Sequence, residues 1–187
     1  MATDFRLLFD TIKDPRDMAE ALHLAIATGR KVDITGNSIR HDHRKVSGLI
    51  DSWKPGFKQD PKMSNVEYTQ DYFSRVEALK REGYKVIGTT PNSGPSLFET
   101  DLSKGKQAIV FGTEVGGISK KKMAVLDGIV RVPMVGNTKF YTLRTVVPII
   151  VHEIMRQKGM LGKPKRKMLP RFLRFRLKKK PTNRHVR

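Results

Sequence analysis

Apolar positions along the chain change period several times, and each change predicts an element. Residues 5–12 (FRLLFDTI) form a short, nearly continuous apolar run ending at Lys13-Asp14-Pro15, which reads as a strand followed by a turn. Met18, Ala21, Leu22, Ala25 and Ile26 then recur at helical spacing until Gly29 stops them. Val32 to Thr35 reads as a second short strand. Residues 36–66 are polar and broken by Gly and Pro. They predict a partial helix near Val46–Trp53, with Trp53 and Phe57 as anchors. Tyr72, Phe73, Val76 and Leu79 place an amphipathic helix over 71–82, closed by Gly83. Strands follow at 84–89, 107–111 and 128–132, with a short helix over 120–126 between the last two. From Leu143 to Lys158 runs a long apolar helix that ends at Gly159. Its residues up to Glu153 are apolar on every face, which predicts burial all round.

Strands alternating with helices predict an α/β fold with a mostly parallel sheet flanked by helices on both faces. The chain carries no internal repeat and neither a Walker-type loop nor a GxGxxG loop, so an ordinary nucleotide-binding fold has little support. With 187 residues, of which 38% are hydrophobic, the length suits one domain and a tail: residues 1–162 and residues 163–187.

Charge locates that boundary. The formal net charge is +19, and residues 163–187 hold twelve of the 37 Lys and Arg with no acidic residue among them. Lys163, Lys165, Arg166, Lys167, Arg171 and Arg174 open this run, and Pro164, Pro170 and Pro181 divide it. Arg176, Lys178, Lys179, Lys180, Arg184 and Arg187 complete it, with Leu169, Phe172, Leu173, Phe175 and Leu177 interleaved. Like charges repel and build no core. Cations neutralise RNA phosphates, however, and aromatic rings stack on unpaired bases, so these twelve side chains are the candidate RNA-binding residues. A solvated tail, a membrane-surface helix and a nuclear localisation signal are the other readings of such a run.

Other classes fall away. No apolar stretch approaches the roughly 20 residues that cross a bilayer, so no membrane partner is expected. The absence of Cys excludes a disulfide framework, a thiolate metal site and a cysteine nucleophile. The start, MATDFRLLFD, reads as neither a signal peptide nor an ordinary transit peptide, so a cytoplasmic or organellar protein is the expectation. His41-Asp42-His43 sets two imidazoles one residue apart in a polar loop without a clear third ligand, a pattern that reads as loop, and no metal is expected.

Three segments carry chemistry. In AIVFGTEVGGIS (108–119) a buried strand ends at Gly112, Glu114 follows, and Gly116-Gly117 lets backbone approach a ligand. VRVPMVGN (130–137) is a second strand end, with a rigid Pro and a permissive Gly. DPRDMAEALHLAIATG (14–29) hands the first strand over to the first helix. Loops at the carboxyl ends of parallel strands are where such folds bind ligands.

In that order the segments resemble the signature motifs of the SpoU/TrmH RNA ribose methyltransferases of the SPOUT superfamily, over about residues 5–160. The resemblance implies a SPOUT-type α/β domain with a C-terminal trefoil knot, S-adenosylmethionine bound bent in that knot, and a dimer with each site near the subunit interface. It implies cofactor contacts from Thr89, Gly112, Glu114 and Gly117 at the strand ends and glycine loop. Val132 and Met134 would clasp the adenine, and Tyr141 and Leu143 would complete the set.

The catalytic positions depart from the pattern. The family's first motif has an Asn and, six residues on, an Arg that helps activate the ribose hydroxyl; Asp17 and His23 stand in those places. Its third motif reads Ser-Leu-Asn before the last helix. Here one register gives Phe140-Tyr141-Thr142 and the other gives Thr142-Leu143-Arg144. His23, Glu114 and Thr142 are therefore the candidate catalytic residues, His23 as a base. Plainer readings stand beside some of these: His23 packs on its helix beside the interface and Glu114 caps a turn, just as Asp17 meets the helix dipole.

Two functions follow. One is an S-adenosylmethionine-dependent RNA 2′-O-ribose methyltransferase acting on rRNA or tRNA, with the tail as its RNA-binding extension. The other is a catalytically inactive descendant of the fold that binds rRNA as a ribosome component or assembly factor, in which the cofactor is absent. Either would work as a homodimer or beside a related SPOUT protein.

Overall fold

The computed structural model describes residues 4–53 and 65–162. The basic segment 163–187, and with it every candidate RNA-binding residue named above, lies outside the described residues, as does Phe57. In chain order the elements are β1 (Phe5–Asp10), α1 (Pro15–Thr28), β2 (Lys31–Thr35), α2 (Arg44–Trp53), β3 (Val66–Thr69) and α3 (Tyr72–Arg81). They continue with β4 (Tyr84–Thr89), β5 (Lys106–Phe111), α4 (Lys120–Met123), β6 (Gly128–Val130) and α5 (Leu143–Gln157). The strands form one sheet in the order β3-β2-β1-β5-β4-β6, parallel at every pairing.

Burial on both faces explains why β1 reads as a continuous apolar run: all six of its residues are buried. Successive side chains of a strand alternate between faces. Phe5, Leu7 and Phe9 join Ile109 and Phe111 beneath α1, α2 and α5, where the Phe9 and Phe111 rings stack with centroids 5.0 Å apart. Leu8, Val86, Ala108 and Val110 pack on the other face against Val76 and Leu79 of α3.

The helix signals act locally as their chemistry requires. Asp14 caps α1 by accepting from the Arg16 N–H, Pro15 occupies the first turn, and Gly29 closes the helix at φ 66°. Asp71 caps α3 by accepting from the N–H groups of Phe73 and Ser74.

Two expectations need correction. Between the polar stretch 36–66 and the helix at 71–82, where no element was expected, lies a strand: β3 pairs with β2, Val32 opposite Val66 through Thr35 opposite Thr69. Sitting at the sheet edge, β3 keeps every residue at least partly exposed, so its sequence lacks an apolar run. Nor is α5 buried all round. Val147, Ile150, Val151 and Ile154 face the core, whereas Pro148 and His152 are exposed. That outer side borders an apolar groove of about 520 Å3 that includes Leu24, Phe98, Ile149 and Met155.

Candidate active site

Parallel strands deliver the loops that follow them to one end of the sheet. The segments after β4, β5 and β6, together with the approach to α5, enclose a cavity of about 310 Å3. Thr89, Gly112, Glu114, Gly117, Val132, Met134, Tyr141 and Leu143 all line it, although they come from three separate stretches of chain. The wall also contains Thr90, Pro91, Asn92 and Ser93, from a loop that the motif reading passed over. Its Thr-Thr-Pro-Asn-Ser-Gly composition, directly after a strand, was the available signal.

Backbone shape makes the cavity. Thr113 and Gly117 exchange N–H···O bonds of 3.1 and 3.0 Å, and the Gly116 N–H donates to Thr113 Oγ1 at 3.0 Å, so residues 113–117 form a closed loop. Gly117 sits at φ 62°, in the left-handed region. Gly112 is constrained differently: a Cβ there would overlap the backbone of Gly117 and Ile118. On the opposite wall Thr89 Oγ1 donates to the Val110 carbonyl at 3.0 Å, and Thr90 is bound to Ser93 through its hydroxyl. Val115 and Phe140 leave apolar surface open on the cavity lining.

A polar cluster joins three elements near this cavity. Glu114 Oε1 accepts from the Lys13 N–H at 3.0 Å and from the Asp14 N–H at 3.3 Å, tying the β5 loop to the start of α1. The hydrogen bonds from Arg16 hold the Asp14 carboxyl below its ordinary range. One turn on, Asp17 is buried, with its Oδ1 2.8 Å from Nε of Arg144 on α5. Burial pushes the Asp17 carboxyl up and the neighbouring Asp14 and Glu114 add to this, while Arg144 opposes it.

The three candidate catalytic residues are not brought together. Glu114 lines the cavity. Thr142 occupies the cap position of α5, its Oγ1 3.1 Å from Thr145 Oγ1, and it does not line the cavity. His23 lies eight residues beyond Pro15, about 12 Å along the axis of α1 and so away from the strand ends. Its ring sits 5.1 Å from that of Trp53. It lines a second pocket of about 100 Å3 with Asp17 and Arg144, and Leu143 belongs to both pockets. Arg144 is the residue in this cluster to which the sequence assigned no role. Its signal was its place in the third motif, where the family carries a neutral amide.

His41 is engaged elsewhere, with both its N–H and its Nδ1 within 3.0 Å of Tyr68 Oη. Among the described residues no group of three or more His, Cys, Asp or Glu side chains is arranged to hold a metal ion. No helix among them is long and apolar enough to cross a membrane.

Comparison with known proteins places this geometry. A tRNA (guanosine(18)-2′-O)-methyltransferase of Borreliella burgdorferi is 31% identical over 80 residues, covering 43% of this chain and 37% of that protein. The 23S rRNA (guanosine-2′-O-)-methyltransferase RlmB of a Burkholderia species is 24% identical over 152 residues, covering 81% of this chain and 59% of that protein. The chain thus spans less than two thirds of the length of either relative. The SpoU methyltransferase AviRb from Streptomyces viridochromogenes, solved in complex with AdoMet, matches the fold with a TM-score of 0.69 at 20% identity, over 87% of this chain and 60% of that one. A structure described as giving insights into the 2-OH methylation of C/U34 on tRNA matches with a TM-score of 0.71 at 19% identity, over 84% of this chain and 99% of that one. The sequence profile of the SpoU rRNA Methylase family runs over residues 4–151, from the approach to β1 into α5, and the chain belongs to that family.

Proposed function

We propose that the protein is an S-adenosylmethionine-dependent RNA 2′-O-ribose methyltransferase acting on rRNA or tRNA. The observation that carries this reading is the convergence of eight residues, from the segments around Thr89, Gly112 and Val132–Leu143, on one cavity. The residues there fit the cofactor. Val132, Met134, Ile118 and Leu143 offer apolar wall to a purine, the close approach at Gly112 admits backbone where a side chain would intrude, and Thr89, Thr90 and Ser93 supply hydroxyls. A volume of about 310 Å3 falls within the usual range for small-molecule sites. When bound, this cofactor supplies an electrophilic methyl group on a sulfonium centre.

The protein's own part is to orient and to exclude water. The Thr113–Gly117 hydrogen bonds fix one wall, and Glu114 fixes the position of that wall against α1. Glu114 also brings negative charge to a pocket meant for a cation. The ribose hydroxyl would enter near Asp17, Arg144 and His23, the polar side chains of the adjoining pocket. His23 stays a candidate proton acceptor there.

The family reading carries three further expectations. The trefoil knot rests on the family resemblance; within the fold the segments after β4 and β6 run side by side in parallel, Leu97 N–H donating to the Arg131 carbonyl and Arg131 N–H to that of Pro95. A homodimer, or pairing with a related SPOUT protein, is supported by the open apolar groove along α5, where Phe98 is 58% exposed. RNA capture by residues 163–187, in a ribosome or its precursor, rests on their charge.

Calorimetric titration with S-adenosylmethionine, followed by a methyl-transfer assay on unmodified tRNA and rRNA transcripts, tests the reading. Binding in the micromolar range with transfer to a ribose 2′-oxygen is expected. Absence of heat at high cofactor concentration would remove it, and RNA binding without transfer would leave the inactive rRNA-binding protein. In the same assay His23→Ala with unchanged turnover would end the role of His23 as base.

A further inference from the structure

The resemblance to a ribose methyltransferase leaves one physical problem at the cavity mouth. A polyanion must approach a place where the carboxylates of Asp14 and Glu114 both stand near that of Asp17. Asp14 is answered by Arg16, and Glu114 by two backbone N–H groups. Asp17 is answered from the other side, by Arg144 in the first turn of α5.

The two partners of that last pair differ in exposure: the Asp17 side chain is 8% exposed and that of Arg144 is 42% exposed. Asp17 therefore holds the guanidinium by charge, its Oδ1 lying 2.8 Å from Nε without accepting a hydrogen bond. Among the described residues Asp17 is the carboxylate that pairs with Arg144. A guanidinium has five N–H donors in a planar fork that matches phosphate geometry, and one held by charge alone keeps those donors for a ligand. Its place is also specific. Leu143, the preceding residue, lines both the large cavity and the smaller pocket, and Arg144 lines the smaller one.

We propose that Arg144 grips a phosphate of the RNA at the mouth of the cavity, held in position for it by Asp17. The positive charge that faces the substrate in this chain thus comes from α5, and the anion beneath it comes from α1. This rests on the reading that RNA is the substrate, and it assigns Arg144 to binding, whatever the identity of the proton acceptor.

The test measures binding of the full chain to an unmodified tRNA transcript across a series of KCl concentrations, comparing variants so that the tail's contribution cancels. Arg144→Gln should lower affinity about tenfold and reduce the log–log salt slope by about 0.7–0.9, the loss of one phosphate contact. Asp17→Asn, which removes the ion pair but keeps the cation, should keep the slope. If Arg144 only clamps α5 to α1, both variants lower the melting temperature alike and leave the slope unchanged, and the proposal falls. Arg144→Lys guards against misfolding. It should keep the slope and the S-adenosylmethionine heat yet bind RNA about threefold more weakly, because a point charge replaces the fork; an unchanged affinity would overturn the assignment. Methyl transfer failing with the slope difference intact sinks only the catalytic reading, whereas no RNA binding by the parent chain sinks both.

Discussion

The carboxylate of Glu114 holds the backbone of Lys13, 101 residues away in sequence, at 3.0 Å. A loop that closes one wall of the cavity is thereby fastened to the turn that launches α1. Hydrogen bonds to a charged group contribute about 1.5–3 kcal/mol each. Glu114→Ala should therefore weaken S-adenosylmethionine binding at least tenfold in calorimetry and lower the melting temperature as well, since both bonds to the start of α1 are lost. Equal affinity in the variant would show that the loop holds its shape without this latch.

Gly112→Ala should abolish cofactor binding, because the added methyl collides with the Gly117 and Ile118 backbone and the loop must open. Gly128→Ala is the matched control. A Cβ there meets nothing within 4 Å, so cofactor affinity should be retained. Equal binding by the two variants would mean that the close approach at Gly112 has no part in the pocket.

On the far side of the sheet, Asp33 is buried and accepts from Arg6 Nε at 2.9 Å, Arg6 Nη2 at 2.8 Å and Arg75 Nε at 2.9 Å. Glu67 and Glu82 approach the same two guanidinium groups from the rim. Asp33→Ala would leave two cations in the interior with only these exposed partners. Stability should fall by about 3–5 kcal/mol in urea unfolding. A loss below about 1 kcal/mol would mean that Glu67 and Glu82 suffice.

Asp127 sets part of the acid limit. Burial pushes its carboxyl up, but the hydrogen bonds from Lys80 and from the Val86 N–H, 2.7 Å away, outweigh it and hold it below its ordinary value of 3.8. A carboxylate depressed in the folded state adds stability above its unfolded pKa and loses it as pH falls through the folded value. Unfolding free energy should thus decline as the solution is acidified below about pH 4, and Asp127→Asn should flatten that decline. An identical acid slope in the variant would place the titration elsewhere.

Deleting residues 163–187 should reduce RNA affinity and flatten its dependence on salt, by a log–log slope of about 5 if six phosphates are lost. An unchanged slope would assign the whole grip to residues 1–162.

Local chemistry made much of the fold legible. Asp14-Pro15 and Gly29 bound α1, Asp71 starts α3, and the two-sided apolar runs of β1 and β5 declare a covered parallel sheet. The strand β3 escaped because an edge strand of four residues needs no apolar stripe, and its pairing with β2 is visible only once β2 has been placed. On α5, apolar composition predicted burial on all faces, but a sheet covers a helix from one side, and Pro148 stayed exposed.

Sequence alone determined the glycine loop and the strand ends, since a tight backbone turn demands particular residues wherever it occurs. Only the tertiary structure decided that Thr89, Gly112 and Leu143 enclose one space, that His23 lies in a neighbouring one, and that Arg144 stands over Asp17. These relations join residues up to 127 positions apart, counting from Asp17 to Arg144, and the pairing depends on how α1 and α5 lie across the sheet. No local rule of sequence sets that geometry.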